Sequence, residues 1–260
     1  MDDSGVSGIF ERIVCGVDGT PASLVAVQQA VRLREEDGAL QLTAVANLAK
    51  AVHAGMAAPH AAELMQSEAE TALAEARAIA PSATQKLANG DPVAVLLREV
   101  EGASLVVVGS HGRGRAAGML LGTVAARMLR DAPCSVLIAR EARDPETWPQ
   151  EIVVGVDGST ESAAAFAAGR SVAERFGGSL RAVASTKDQL DRDAARALAP
   201  ELEEQAGRAL AVLTSASEFA DLVVVGNRGL HGLKALGSVS ERVAYQARSS
   251  VLVVRPGHGE

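Results

Sequence analysis

The sequence predicts an α/β protein with two tandem domains, each built on an open sheet of parallel strands. Short apolar runs rich in β-branched residues, such as IVCGV and LVVVG, are typical of strands that are covered on both faces. Helical segments alternate with these runs, which favours a parallel sheet with helical crossovers. Three segments of the chain recur in the same order. IVCGVDGT (13–20) returns as IVVGVDGS (152–159), SLVVVGSHG (104–112) as DLVVVGNRG (221–229), and SVLIAR (135–140) as SVLVVR (250–255). This order of matches indicates a duplicated domain.

The repeat sets the expected domain limits. We expect a first domain over 1–142, a linker over 143–150 and a second domain over 151–260. The linker is polar, and it carries two prolines and the single tryptophan of the chain, Trp148.

The elements of the first copy follow in a regular order. Thr20 and Pro21 predict a helix N-cap followed by proline at the first helical position, and Asp37–Gly38 marks the expected end of that helix. The remaining pattern predicts a strand over 40–46, an alanine-rich helix near 61–80, a strand near 84–88, a short helix over 92–101, the strand LVVVG, a helix after Gly122–Thr123, and a final strand SVLIA.

The second copy is shorter between its first and fourth strands. The stretch between the first and second repeated segments is 22 residues shorter in the second copy. There TQKLANG of the first copy aligns with the charged, helix-prone ELEEQAG. We therefore expect the second domain to lack its third strand. Only an edge strand can be lost without opening the core, so the third strand is predicted to lie at an edge.

The composition excludes several classes of function. The 260 residues are 48% hydrophobic and only 2% aromatic, with a net charge of −7, which argues against binding to nucleic acids or anionic membranes. Cys15 and Cys134 lie in or beside apolar runs, so buried thiols are expected rather than a redox pair. The acidic N-terminal segment does not resemble a signal peptide, and no apolar run is long enough to span a membrane, so a soluble cytoplasmic protein is expected.

A ligand site is expected where the first and fourth strands end, since open parallel sheets bind ligands beyond the carboxyl ends of their strands. Gly109 and Gly112 would expose backbone amides, and Gly122–Thr123 precedes a helix whose N-terminus favours an anion. Thr123 either caps that helix or offers its hydroxyl to a phosphate. Asp18 either accepts hydrogen bonds from a ribose or purine, or stabilises a turn.

The loop after the fourth strand leaves two further questions open. Arg113 and Arg115 either reach a terminal phosphate or remain solvated, and His111 either lies in an exposed loop or contacts a phosphate. The loop is neither a Walker A motif nor a Rossmann fingerprint, because no GxxxxGK[ST] occurs and the glycines follow the fourth strand.

The glycine spacing carries a specific resemblance. GSHG, nine residues and then GT resembles the G-x2-G-x9-G-[S/T] nucleotide loop of the universal stress protein family, as do GVDGT and APCSVLIAR, and the likeness spans nearly the whole chain. It implies a Rossmann-like sheet ordered 3-2-1-4-5 with ATP between strands one and four. By position, it implies that adenine and ribose meet Gly16, Val17, Asp18 and Val45, and that the phosphate side comprises Val108, Gly109, Gly112, Arg113, Gly122, Thr123, Val124 and Ala125.

The second copy departs from this pattern. Only seven residues separate Gly229 from Gly237, and Ser238 with Glu241 predicts a capping box. A weaker second site is therefore expected at Asp157, Gly226, Gly229, Gly237 and Ser238, one that binds nucleotide poorly or not at all.

The resemblance implies a stress-response regulatory module that binds ATP, with Mg²⁺ held mainly by phosphates and water. AMP or cAMP, an interaction module without nucleotide, and a nucleotide enzyme remain alternatives. No catalytic or metal-ligand set is recognised, so hydrolysis is expected to be slow at most. The fifth strands are apolar edges through which the two domains are expected to pair, and two chains could form a homodimer.

Overall fold

The computed structural model describes residues 8–47, 58–111, 121–227 and 238–255, and the chain forms two compact units. The first unit is Phe10–Cys134, and the second contains the chain from Ser135 onward. This division follows packing, whereas the domains 1–142 and 151–260 follow the sequence repeat. The domain limits therefore stay a prediction.

The first unit alternates strands and helices within its described residues. These are β1 (Arg12–Val17), α1 (Pro21–Leu33), β2 (Ala39–Ala46), α2 (Ala58–Ile79), β3 (Thr84–Asn89), α3 (Pro92–Glu99), β4 (Leu105–Gly109) and α4 (Thr123–Asp131). The strands pair in the order β3-β2-β1-β4, and all these pairs are parallel. The predicted parallel sheet, with its third strand at the edge, is confirmed.

Helices cover the central strands of this unit. α1 contacts β1 and β4, α2 contacts β2, and α3 and α4 contact each other as well as β2 and β4. Leu105, Val106 and Val107 are consequently fully buried, which explains why these strands are continuously apolar. Cys15 is also fully buried, and burial raises the pKa of its thiol well above the usual range. The expected buried thiol is confirmed at this position.

The second unit repeats this pattern and adds one strand. Its elements are β5 (Ser135–Ala139), β6 (Glu151–Gly155), α5 (Thr160–Phe176), β7 (Ser179–Ser185), α6 (Arg192–Leu198), β8 (Glu203–Gln205), α7 (Ala209–Ala216), β9 (Leu222–Gly226), α8 (Val239–Gln246) and β10 (Ser250–Val254). The strand order is β5-β10-β9-β6-β7-β8. Five of these strands, from β10 to β8, reproduce the order implied for one copy, read from strand five to strand three.

The expected loss of the third strand in the second copy is wrong. The charged segment forms β8, a strand of three residues that pairs in parallel with β7, where Val183 lies opposite Glu203. The missing residues shorten the preceding crossover instead, because α6 has 7 residues where α2 has 22. An edge strand tolerates charged side chains, since one of its sides faces solvent.

The charge of Glu203 on β8 is paired with Arg181 on the neighbouring strand β7. Nε and Nη2 of Arg181 donate to the two carboxylate oxygens of Glu203 at 2.9 and 2.7 Å. This hydrogen-bonded pair lowers the pKa of Glu203 below its usual value. A segment that reads as helix by composition therefore becomes a strand because β7 supplies both a backbone ladder and a counter-ion.

β5 and β10 are corresponding strands of the two sequence repeats, and they pair antiparallel within the second unit. Leu137 lies opposite its repeat equivalent Leu252, so the pair is nearly symmetric about these two residues. The backbone N–H of Arg140 donates to Ser250 Oγ, and that of Arg255 donates to Ser135 Oγ. The expected pairing of whole domains stays a prediction, but both of these apolar strands are paired.

Residues in the predicted linker pack firmly into the second unit. Trp148 is only 1% exposed, and its Nε1–H donates to the carbonyl of Asp221 at 3.1 Å. The carboxylate of Asp221 accepts the backbone N–H groups of Gln150 and Glu151 at 2.9 and 3.0 Å. This segment is therefore an anchored lead-in to β6 rather than a free connection.

The start of α1 is as predicted, but its end is not. Thr20 is the N-cap, and its hydroxyl accepts the backbone N–H of Ser23 at 3.3 Å. The helix ends at Leu33, before Asp37–Gly38, which belong to the following turn. Within the described ranges, no helix has the length and apolar character needed to cross a membrane.

Candidate functional site

The predicted site lies where two adjacent strands end. β1 and β4 are parallel neighbours, and β2 lies on the other side of β1. The strand order therefore changes direction between β1 and β4. A Cβ atom added to Gly16 would lie 3.3 Å from Val108 Cγ1, which shows how closely the two strand ends approach. Val45 lies on β2 near its carboxyl end. This is the topological switch point at which open α/β sheets hold ligands.

Asp18 forms a tight turn directly after β1. Its Oδ1 accepts the backbone N–H of Thr20 at 3.0 Å and the Thr20 hydroxyl at 2.6 Å. Gly19 adopts a φ of 73°, a left-handed value that a residue with a side chain rarely takes. The turn-stabilising interpretation of Asp18 therefore holds, and the turn fixes the carboxylate at the edge of the site.

Gly109 is required by the approach of α1. A Cβ atom at this position would lie 2.7 Å from both the carbonyl carbon and the carbonyl oxygen of Ala22. The first turn of α1 therefore lies directly against the end of β4. Gly112 and Arg113, which the sequence placed on the phosphate side, lie outside the described residues.

The start of α4 joins the same site, and one detail of the sequence analysis needs correction. Gly122, not Thr123, is the N-cap, and no side chain caps the helix. Thr123 is exposed at the first helical position, and Val124 and Ala125 follow it. The backbone N–H of Gly122 donates to the carbonyl of Ser110 at 2.8 Å, which ties the helix start to the end of β4.

The second unit reproduces the turn. Asp157 Oδ1 accepts the backbone N–H and the hydroxyl of Ser159 at 3.0 and 2.5 Å, and Gly158 adopts a φ of 84°. A Cβ atom added to Gly226 would collide with the carbonyl group of Glu161, just as one at Gly109 would with Ala22. The duplicated strand ends thus keep the same local geometry.

The helix start differs between the two units. In α8 the N-cap is Ser238, whose hydroxyl accepts the backbone N–H of Glu241 at 3.2 Å. The Ser238 half of the predicted capping box is confirmed, whereas no side chain caps the start of α4. Gly229 and Gly237, the other predicted residues of this site, are outside the described ranges.

A cavity of about 450 Å³ opens at the ends of β6 and β9. Its walls combine apolar side chains, such as Val183 and Leu213, with the polar groups of Asp157, Ser185 and Asp188. The volume falls in the roughly 300–1,000 Å³ range typical of small-molecule pockets.

Sequence reasoning overlooked residues that shape both sites. Ser23 is buried, and its hydroxyl donates to the carbonyl of Thr20 at 2.9 Å, which reinforces the turn. Ser110 Oγ lies 2.9 Å from His111 Nδ1, so the first residues of the loop are held together. Glu161 also lines the cavity, and superposing the two repeats by sequence would have found it, because it replaces Ala22.

The fold and its duplicated strand-end turns define a class: tandem α/β proteins whose two repeats share a turn after the first strand. The model of the universal stress protein family matches residues 9–140 and 185–255. A universal stress protein of Mycobacterium tuberculosis is 31% identical over 94% of this chain and 96% of its own length. Another from the same species is 27% identical over 94% of both chains. The chain belongs to the universal stress protein family.

Solved structures show the same fold. A universal stress protein from Archaeoglobus fulgidus matches 97% of this chain and 99% of its own, with a TM-score of 0.77 and 21% identity. A protein of unknown function from Pseudomonas aeruginosa matches 95% of this chain and 93% of its own, with a TM-score of 0.67 and 20% identity. The tandem arrangement is thus shared along almost the entire chain.

Proposed function

We propose that the first unit binds an adenine nucleotide, with ATP as the main ligand, and that the chain acts as a cytoplasmic regulatory module of the stress response. The observation that carries this proposal is the start of α4. The helix begins beside the end of β4, has no side-chain cap and has no acidic residue in its first turn.

The phosphate end follows from helix electrostatics. The first amides of a helix lack partners within the helix, and the helix dipole places partial positive charge there. In α4 the N-cap is Gly122, so no hydroxyl or carboxylate of the cap residue competes for these amides. α1, whose start lies against Gly109, also lacks an acidic residue in its first turn. The Thr20 hydroxyl already caps α1, so the uncapped start of α4 is the helix start that favours a phosphate chain.

The nucleoside end lies at the neighbouring strand ends. Gly16 lies against Leu96 and Val108, Val45 is partly exposed near the end of β2, and the turn holds the Asp18 carboxylate in one orientation. That carboxylate accepts hydrogen bonds from a ribose hydroxyl or a purine amine. An apolar pocket with a few fixed polar groups is how small-molecule sites commonly gain specificity.

Mg²⁺ would enter with the phosphates. The proposed site offers backbone amides rather than a set of carboxylates, so the ion would be coordinated mainly by phosphate oxygens and water. Hydrolysis is expected to be slow, because no general base is assigned at this site. AMP and cAMP are weaker alternatives, since they use fewer of the amides.

Assembly is a further part of the proposal. The two domains pair within one chain through their fifth strands, which the antiparallel pairing of β5 and β10 supports. A homodimer would then need a surface other than these two strands.

Gly122→Val tests the proposal. The purified chain is denatured, released nucleotides are identified by mass spectrometry, and ATP rebinding is measured by calorimetry. A branched side chain at the N-cap covers the first amides of α4, so we expect at least a hundredfold loss of ATP affinity. Gly237→Val is the matched control in the second repeat and should leave ATP affinity within twofold.

Two results would contradict the proposal. If the wild-type chain neither releases nor rebinds any adenine nucleotide, the chain is an interaction module without nucleotide. Equal losses in Gly122→Val and Gly237→Val would remove the assignment of the site to the first unit. Circular dichroism of both variants shows whether the fold is intact.

A further inference from the structure

We infer that the cavity of the second unit is a separate site for an unphosphorylated nucleoside, which discriminates against the phosphate that the first unit is proposed to hold. This inference rests on the proposed function for the choice of an adenine ligand. The assignment comes from comparing the two copies of the same strand-end geometry residue by residue.

The nucleoside end is retained in the second copy. Gly155, Val156 and Asp157 follow the same pattern as Gly16, Val17 and Asp18, and all three line the cavity. Asp157 forms the same turn, with the same pair of hydrogen bonds from a serine in place of threonine. The apolar wall and the oriented carboxylate that suit a purine and a ribose are therefore present.

The phosphate end is changed at the start of α5. Glu161 stands where the first unit has Ala22, in the first turn of the helix and against the loop-initiating glycine, Gly226. A Cβ atom on Gly226 would lie 2.9 Å from the Cβ of Glu161. Among the described residues, no hydrogen bond or ion pair neutralises this carboxylate, so its negative charge faces the position that a phosphate would take.

The start of α8 is already satisfied by the protein itself. The Ser238 hydroxyl accepts the backbone N–H of Glu241, and Glu241 adds negative charge to the first turn. In α4 the cap is a glycine and the first turn holds no acidic residue. The anion that a nucleotide would supply to the first unit is thus replaced in the second by a hydroxyl and a carboxylate.

A third helix start at the cavity is neutralised in the same way. α7 has no side-chain cap of its own, but Asp188 Oδ2 accepts the backbone N–H of Ala209 at 2.5 Å. Ser185 is buried and lies 3.2 Å from the same carboxylate oxygen. Ala209, Ser185 and Asp188 all line the cavity, so this wall also presents acceptor groups and negative charge.

These features define the ligand class. The described lining residues include three carboxylates, those of Asp157, Glu161 and Asp188, and none has a cationic side chain. These carboxylates would repel the negative charge of a phosphate in a partly desolvated site. They would instead accept hydrogen bonds from hydroxyl and amine groups. The cavity therefore suits an uncharged, donor-rich molecule of nucleoside size.

The experiment compares adenosine with AMP, because they differ only in the phosphate. In the Gly122→Val chain, which lacks the proposed first site, we expect one adenosine bound per chain and AMP binding at least tenfold weaker by calorimetry. Adding Glu161→Gln removes the charge at nearly constant shape. That variant should narrow the difference between adenosine and AMP to less than threefold while keeping adenosine affinity within twofold.

The wild-type chain provides a test that does not depend on Gly122→Val folding. With ATP at saturation we expect one ATP per chain and one additional site for radiolabelled adenosine. Two ATP per chain, no adenosine binding in the presence of ATP, or equal affinities for adenosine and AMP in the Gly122→Val chain would overturn the inference. Absence of any ATP binding would instead overturn the proposed function, so the two failures are distinguishable.

Discussion

The strand ends of the two units share a turn and differ in the charge of the neighbouring helix starts. Asp18 and Asp157 accept the same two hydrogen bonds, and Gly109 and Gly226 allow the same close approach of a helix start. Yet the first unit places Ala22 and Gly122 at the helix starts, whereas the second places Glu161 and Ser238 there. Duplication therefore kept the residues that shape the backbone and changed those that set the electrostatic potential.

This difference shows how a fold can change the electrostatic potential at the ends of its strands while keeping the same backbone turn. A helix N-terminus attracts an anion only while its amides and dipole are not satisfied from within the protein. In the second unit a carboxylate lies in the first turn of α5 and a hydroxyl caps α8. Neither substitution disturbs a buried strand, so the fold does not constrain them.

The largest expected effect concerns the segments that lead into the first strand of each unit. Trp148→Ala should lower the free energy of unfolding by about 3–5 kcal/mol, the usual result of removing a buried aromatic ring. Phe10 is the buried aromatic residue before β1, and Phe10→Ala is the corresponding change in the first unit. Urea unfolding followed by far-ultraviolet circular dichroism measures both, because the first variant removes the only tryptophan.

Trp148→Phe sharpens the comparison between these segments. It keeps most of the ring packing but loses the hydrogen bond from Nε1 to the Asp221 carbonyl, so a loss of about 1 kcal/mol is expected. If Trp148→Ala cost no more than Trp148→Phe, packing of the ring would not be what anchors this segment.

The next largest effect is expected from Ala22→Glu, which places in the first unit the carboxylate that Glu161 supplies in the second. Ala22→Glu should weaken ATP binding at least tenfold, about 1.4 kcal/mol, because it places a carboxylate where a phosphate is proposed to lie. The same substitution should stabilise α1 by about 0.3–1 kcal/mol, since negative charge at a helix N-terminus is favourable. The ATP affinity measured by calorimetry should therefore fall, while the midpoint of thermal unfolding should rise.

Ala22→Gln is the control for this transfer. It adds a side chain of the same size without charge and should leave ATP affinity within threefold. Equal losses for glutamine and glutamate would show that space, not charge, distinguishes the two edges.

The smallest expected effect concerns the stability of the two edge strands, β3 and β8. β3 has six residues, whereas β8 has three and relies on the pair between Arg181 and Glu203. The pair is substantially exposed, so Glu203→Gln should cost only about 0.2–1 kcal/mol at neutral pH. Because the pKa of Glu203 is lowered in the folded protein, this contribution is present above the unfolded pKa and is lost as pH falls through the folded one.

Urea midpoints of the wild-type chain and Glu203→Gln as a function of pH measure this contribution. The difference between them should shrink below about pH 4, near the ordinary pKa of a glutamate. A difference that persisted at lower pH would mean that the ion pair does not secure the short edge.

Much of the fold was predictable because it is encoded locally. Runs such as LVVVG gave the buried strands, and Thr20–Pro21 gave the start of α1. The glycine spacing carried the resemblance to the family. Composition was wrong where a neighbour decides the structure, since it favoured helix for Glu203–Gln205. Of the two roles open to Thr123, the cap is excluded because Gly122 occupies that position.

The sequence by itself determined the duplication, the parallel α/β architecture and the family. These follow from periodicity and from residues whose backbone preferences are local. The tertiary structure decided that β8 is a strand, that Trp148 anchors the predicted linker, and that Glu161 faces a cavity. These outcomes depend on which groups meet across the fold, because hydrogen-bond partners, counter-ions and burial are supplied by residues distant in the chain.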